Sequence, residues 1–303
     1  MSAQSDIKAT YLAVDGYDNL NGKLDTADLF GGYSYPLTPT GRGNVLGQPP
    51  YHFCGEEMVI VYQADPEQVA KFLPPPLEPS LENPGGCVIH FNSYESIVQR
   101  DADLLHELPE RCNFTEAYIE VRCRFRGKES KVYVYFWVNK DYSLSRGWIM
   151  GAPKKIGEVS LSFEKHHLNG LNPYFPQFEK GFTLGGICSA HMEKLIHGTC
   201  KLDKRIDPKD MHKDILMPTN NYLLYPDIQM GYKGRCVSKI IHNVIDTWYG
   251  DVWECSDAKL DFFESVAEEH TLLKPVSITS AYYCPLGFTI YGHVVDYDAN
   301  EEK

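Results

Sequence analysis

Residues 118–138 constrain the fold more than any other stretch. Val132-Tyr-Val-Tyr-Phe-Trp-Val138 is an unbroken run of β-branched and aromatic side chains, the composition of a central β-strand. Upstream, residues 118–126 alternate, with Val121, Cys123 and Phe125 on one face and Arg122, Arg124 and Arg126 on the other, the period of a half-buried strand. Gly127-Lys-Glu-Ser130 supplies a turn, so the two segments predict a hairpin. The arginine face reads first as a solvated surface, with interface salt bridges and a polar cavity lining as the alternatives.

Other segments extend this pattern. Met58-Val-Ile-Val-Tyr62 predicts a buried strand, and Asp65-Pro-Glu-Gln68 a cap, first-turn proline and capping partner for a short helix ending at Leu73-Pro74. Strand character recurs at 181–200, 234–246 and 276–297. Residues 260–272, after Ser256-Asp257 as a cap, place Leu260, Phe263 and Ala267 on one helical face. No internal repeat is evident. The balance predicts an α+β chain, mainly antiparallel β, with a few peripheral helices.

Residues 1–47 are polar and rich in Gly, Asp and Thr, and predict an extended N-terminal arm before a single catalytic domain at 48–303. Tyr11, Leu12, Leu29, Phe30, Tyr33 and Tyr35 give the arm an apolar side suited to a neighbouring subunit. Gly41–Gly47 lacks the spacing and the preceding strand of a phosphate loop. Segments 93–113 and 164–180 read first as surface decoration, with lids as the alternative, in which Tyr174, Phe175 and Phe178 would reach a cavity mouth.

Composition narrows the partners. A net charge of −12 disfavours nucleic acid and anionic membranes, which reward Lys/Arg patches. Nine cysteines without C-x-x-C spacing read as reduced core residues. No metal is expected, since H-E-x-x-H is absent and His166-His167 stands isolated. Neither a signal pattern nor an apolar run of about 18 residues occurs, so the expected location is the cytoplasm, where the Asn113-Phe-Thr115 sequon stays unmodified.

The chemistry is concentrated in Pro153-Lys154-Lys155, set within Arg146–Glu158. An ordinary lysine amine is less than ~0.1 % neutral at pH 7 and a poor nucleophile. Desolvation among Trp148, Ile149, Met150 and Ile156, with a nearby cation, would lower its pKa and free the amine to attack ketones. Pro153, Gly151 and Gly157 make the segment an ordered bend between strands. In a purely extended segment Lys155 could not crowd Lys154, so desolvation should outweigh charge repulsion.

Gly151-Ala-Pro-Lys-Lys155 resembles the signature of the acetoacetate decarboxylase family. Pro50–Phe53, Glu57–Tyr62 with Asp65, Phe72–Leu77, Asn221–Leu224, Leu273–Ser280 and Val294–Tyr297 are similar to further family landmarks in the same order, covering roughly residues 48 to 298. The resemblance implies a β-barrel-like cone enclosing a cavity. It assigns the Schiff-base role to Lys154, the cationic neighbour to Lys155 and acid/base work to Glu116 in Phe114-Thr-Glu116. The family's carboxylate-binding arginine falls on Glu56, a charge reversal, and a second family glutamate falls on Asn92. Arg146, Arg111, Arg122 or Arg124 are alternatives for a carboxylate clamp. Met150 and Tyr222 are the remaining candidate substrate contacts.

These readings imply a Schiff-base lyase acting on a keto acid, of β-keto acid decarboxylase type. Aldol-dehydration by the same lysine and a non-catalytic binder on this scaffold are the alternatives. No cofactor is needed, because the imine is the electron sink, and a homo-oligomer is implied.

Overall fold

The computed structural model describes residues 33–39, 41, 43–98, 102–229, 231 and 234–301. Tyr11, Leu12, Leu29 and Phe30 of the expected arm therefore lie outside the described residues. The chain divides into two compact units, Met1–Gln48 and Pro49–Lys303. In the first, Asn44 Nδ2 donates to the carbonyls of Ser34 at 2.6 Å and Pro36 at 2.7 Å, and Ser34 Oγ donates to Leu46 O at 2.8 Å.

The second unit is built mostly of strands. In chain order they are β1 (Tyr51–Gln63), β2 (Glu78–Pro79), β3 (Gly86–Val98), β4 (Asn113–Phe125), β5 (Lys128–Val138), β6 (Lys154–Ile156) and β7 (Glu158–Leu161). There follow β8 (Thr183–Ala190), β9 (Glu193–Ile206), β10 (Thr219–Pro226), β11 (Arg235–Tyr249), β12 (Val252–Phe262) and β13 (Ser277–Asp298). The α-helices of this unit are short: α1 (Pro66–Lys71), α2 (Leu104–Glu107), α3 (Asp141–Ile149) and α4 (Lys213–Leu216). Pairing runs β1-β3-β4-β5-β10-β11-β13-β12-β9-β8-β7, and β1 also pairs with β13. Among the described residues, the parallel pairings are those of β10 and β6 with β5.

The expected hairpin is β4–β5, and the Asp65 cap accepts from Glu67 N–H as its residue type predicts. Side chains alternate across each strand. Met58, Ile60, Ile89, Phe91, Ile119 and Trp137 belong to one large buried cluster with β8 and β9. The opposite face of β1, β3 and β4 carries Glu57, His90, Glu116 and Tyr118 toward a cavity. A register shift between Ile119 and Glu120 is a β-bulge: Ile119 pairs with Tyr135 but Glu120 with Tyr133. It lets Tyr133 and Phe136, three positions apart, both line the cavity.

Three expectations need correction. Residues 260–272 are not an amphipathic helix: Lys259–Phe262 pair with Ile196–Thr199 of β9, and a short 3₁₀ turn follows at His270–Leu273. The supposed cap is instead an irregularity inside β12, with Asp257 at φ 50°. Arg122 is not solvated. It is fully buried, donating to Asp214 at 2.5 Å and Glu129 at 2.6 Å. Finally, 146–158 is not a bend between two strands, because its first residues form the C-terminal turn of α3.

Candidate active site

The site forms where α3 ends and β6 begins. Met150 caps α3 through N–H bonds to the carbonyls of Arg146 and Gly147. Gly151 then takes φ +70°, a left-handed conformation that glycine enters without steric penalty. The chain reverses into β6, where Lys154 pairs with Phe136 of β5 and Lys155 with Trp137. The pleat sends the two amines to opposite faces.

Lys154 points into the protein. Its Nζ donates to Glu116 Oε2 at 2.7 Å and to Ser143 Oγ at 2.9 Å, and lies 4.3 Å from the Phe136 ring centre. All four groups are buried. Gly147 makes room for the lysine stem, since a Cβ there would stand 2.5 Å from Lys154 Cγ and 2.9 Å from Cε. Burial pulls the amine down to about 8, the Glu116 carboxylate opposes the fall, and the Arg146 guanidinium reinforces it. Roughly a tenth of the amine is then neutral at pH 7.

Arg146 on α3 is 5 % exposed and makes no ion pair among the described residues. Its Nη1 donates to Ser96 Oγ at 3.1 Å, while Nη2 is buried without a hydrogen-bond partner. Phe53 stacks under it at 4.5 Å, and burial lowers its pKa. A buried guanidinium left without a carboxylate is costly, and an anionic ligand would satisfy it.

The cavity holding Lys154, Glu116 and Arg146 measures about 940 Å³. Met150 lines it, as expected. The other expected contacts lie elsewhere. Lys155 Nζ sits on the far face, 2.5 Å from Glu268 Oε1, so the cation beside Lys154 is Arg146 instead. Glu56 lies on the opposite face of β1 from Glu57. It accepts from Tyr283 at 2.5 Å and lies 3.1 Å from His166 Nδ1, and burial raises its pKa. The supposed charge reversal therefore does not face the cavity.

Asn92 pairs with both Glu57 and Glu116 across the strands, yet it is fully buried and does not line the cavity. Tyr222 bonds Ser238 Oγ at 2.9 Å, away from the cavity lining. Trp148 and Ile156, expected to desolvate Lys154, are more than half exposed; Phe136 and Phe114 do so instead. Tyr174 is 96 % exposed, and Phe178 packs on His166 and Tyr283, so the 164–180 aromatics do not line the cavity. Ser143 and Glu57 escaped the sequence reading. Helix α3 has no apolar stripe strong enough to reveal a serine facing the lysine.

No curated protein matches this chain. Among solved structures, the enduracididine biosynthesis enzyme MppR, complexed with the condensation product of pyruvate and imidazole 4-carboxaldehyde, is 27 % identical. That alignment covers 87 % of this chain and 95 % of MppR, with a TM-score of 0.75. An acetoacetate decarboxylase-like enzyme from Sphingomonas wittichii RW1 is 22 % identical over 88 % of this chain and 100 % of its own, with a TM-score of 0.78. Acetoacetate decarboxylase from Legionella pneumophila is 18 % identical over 92 % and 98 %, with a TM-score of 0.70. The last two carry the fold alone. The family model for acetoacetate decarboxylase matches residues 34–299, which include every site residue described above, and the chain belongs to that family.

Proposed function

We propose that this protein is a Schiff-base-forming carbon–carbon lyase that engages a 2-keto acid through Lys154, with Arg146 holding the carboxylate. One observation carries the reading: a dry amine bonded to Glu116 stands beside a buried guanidinium that has a spare donor. The returning pairings β1-β3-β4-β5-β10-β11-β13-β1 support a cone-like barrel as the dry enclosure this chemistry needs.

In this mechanism the neutral amine attacks the keto carbon, and loss of water leaves a protonated imine. Glu116 takes a proton from the neighbouring carbon, giving an enamine. That carbon attacks an aldehyde carbon, and the aldehyde oxygen takes the proton held by Glu116. Glu116 then takes a second proton from the same carbon and delivers it to the new hydroxyl, which departs as water as the carbon–carbon double bond forms, and hydrolysis of the imine releases the conjugated product and restores Lys154. Ser143 fixes the amine between turnovers.

Decarboxylation of a β-keto acid uses the same imine and is the second reading. A guanidinium fixed on the carboxylate stabilises the very charge that departing carbon dioxide must give up, which favours reactions that keep it. A cavity of about 940 Å³ also exceeds what a four-carbon acid fills and leaves room for a second substrate. MppR, holding a condensation product of pyruvate and an aldehyde, is consistent with this preference.

The test is borohydride reduction with pyruvate followed by peptide mass analysis. An adduct on Lys154 is expected; none, or an adduct only on Lys155, overturns the proposal. Carbon–carbon product from pyruvate and an aromatic aldehyde, against carbon dioxide from acetoacetate, then separates the two readings.

A further inference from the structure

The same cavity has a second charged locus that the chemistry above leaves unused. Glu57 Oε2 lies 3.0 Å from His90 Nδ1, and His90 Nε2 lies 3.3 Å from Glu120 Oε2. Lys131 Nζ donates to the same Glu120 oxygen at 2.8 Å, and Thr219 donates to the other at 2.6 Å. All four charged side chains are at most 5 % exposed and line the cavity. Burial opposes a proton on His90, but its two carboxylates outweigh burial and raise its pKa; Lys131 and His90 likewise hold Glu120 at about 2 despite burial. The string is thus an alternating, internally balanced row.

Its end is not satisfied. Glu57 Oε2 also accepts from Tyr94 at 3.3 Å, whereas Oε1 accepts no hydrogen bond among the described residues. A carboxylate only 4 % exposed, with an idle oxygen on a cavity wall, is a built acceptor. Register sets its distance from the reacting centre. Glu57 pairs with Asn92, and Asn92 with Glu116, so Glu57 stands two strands from the carboxylate bonded to Lys154. At about 4.8 Å per strand this is roughly 10 Å. Between the two loci, His90, Tyr118, Phe136 and Lys154 form one cross-strand row, with ring centres 4.3 Å and 4.5 Å apart. The wall there is aromatic.

We propose that Glu57, backed by His90, Glu120 and Lys131, is a specificity-determining residue that binds a cationic nitrogen donor on the substrate about 8–10 Å from the carbonyl carbon. This rests on the keto-acid reading of Lys154 and names the far end of that substrate.

The test compares 4-(aminomethyl)phenylpyruvate with its isostere 4-ethylphenylpyruvate, scoring the concentration that half-saturates borohydride trapping on Lys154. The wild-type protein should favour the amine about tenfold to a hundredfold, and Glu57→Gln should bring the ratio close to one. Equal half-saturation in the wild-type protein, or an unchanged ratio in Glu57→Gln, overturns the proposal. The wild-type comparison alone decides it if the variant does not fold. If pyruvate also leaves no adduct, the Lys154 reading fails separately. Calorimetric binding of the two acids to unreduced protein then decides for Glu57 if the amine binds at least tenfold tighter, and against it if they bind equally.

Discussion

The two faces of β6 carry adjacent lysines in opposite circumstances. Lys154 is sealed against Phe136, Glu116 and Ser143, and burial pulls it down to about 8. Lys155, one residue on, has a side chain 40 % exposed, in a pair with Glu268. Sequence adjacency therefore says little about chemical environment once a strand forms; the pleat decides which amine is dry. The cation that crowds Lys154 comes from α3, eight positions earlier, because a helix ending over the strand delivers Arg146 to the side that Lys155 cannot reach.

The sharpest way to break this contrast is to delete one amine at a time. Lys154→Met should abolish borohydride-trapped adduct and turnover, a fall of at least about 10⁴-fold, since the cavity's other buried amine, Lys131, is held by Glu120 and the Ile215 carbonyl. Glu116→Gln keeps shape and removes the proton carrier, so turnover should fall about 10²- to 10⁴-fold while pyruvate still traps on Lys154. Retained turnover in single-turnover assays would move acid/base work elsewhere.

Arg146→Met should weaken pyruvate about a hundredfold yet leave acetone, which has no carboxylate, little affected. It should also raise the Lys154 pKa, because a nearby cation is gone. The pH profile is a gentler probe. With the amine near 8, imine formation should climb about tenfold per unit below that value and level off above it. A flat profile from pH 6 to 9 contradicts a titrating Lys154. Lys155→Ala is expected to change trapping less than about threefold, because its charge lies behind the strand. A large loss would mean the two faces are coupled.

Much of this was legible in the chain. The aromatic run 132–138 and the alternation before it mark β4 and β5, because burial on one face leaves a period of two. Lys154 stood out because its flanks are apolar and match a family motif, and Glu116 through the resemblance alone. What failed to show has physical causes. Glu56 and Glu57 are consecutive, and only the register of β1 decides which of them faces the cavity; a one-residue choice inverts the answer. Helix α3 was missed because Gly147 and two serines weaken helix propensity, and the helix is held by what it covers. Residues 260–272 misled because Leu260, Phe263 and Ala267 satisfy a helical period while Leu260 is committed to a neighbouring strand.

Gly147 has a consequence of its own. Alanine is the better helix former by about 1 kcal/mol, so propensity alone would favour a methyl group at this position in the last turn of α3. That methyl would occupy the space where the Lys154 stem now lies. Helix propensity and packing therefore pull in opposite directions at this one position, and the glycine persists because the lysine beneath it leaves no room for even one more carbon.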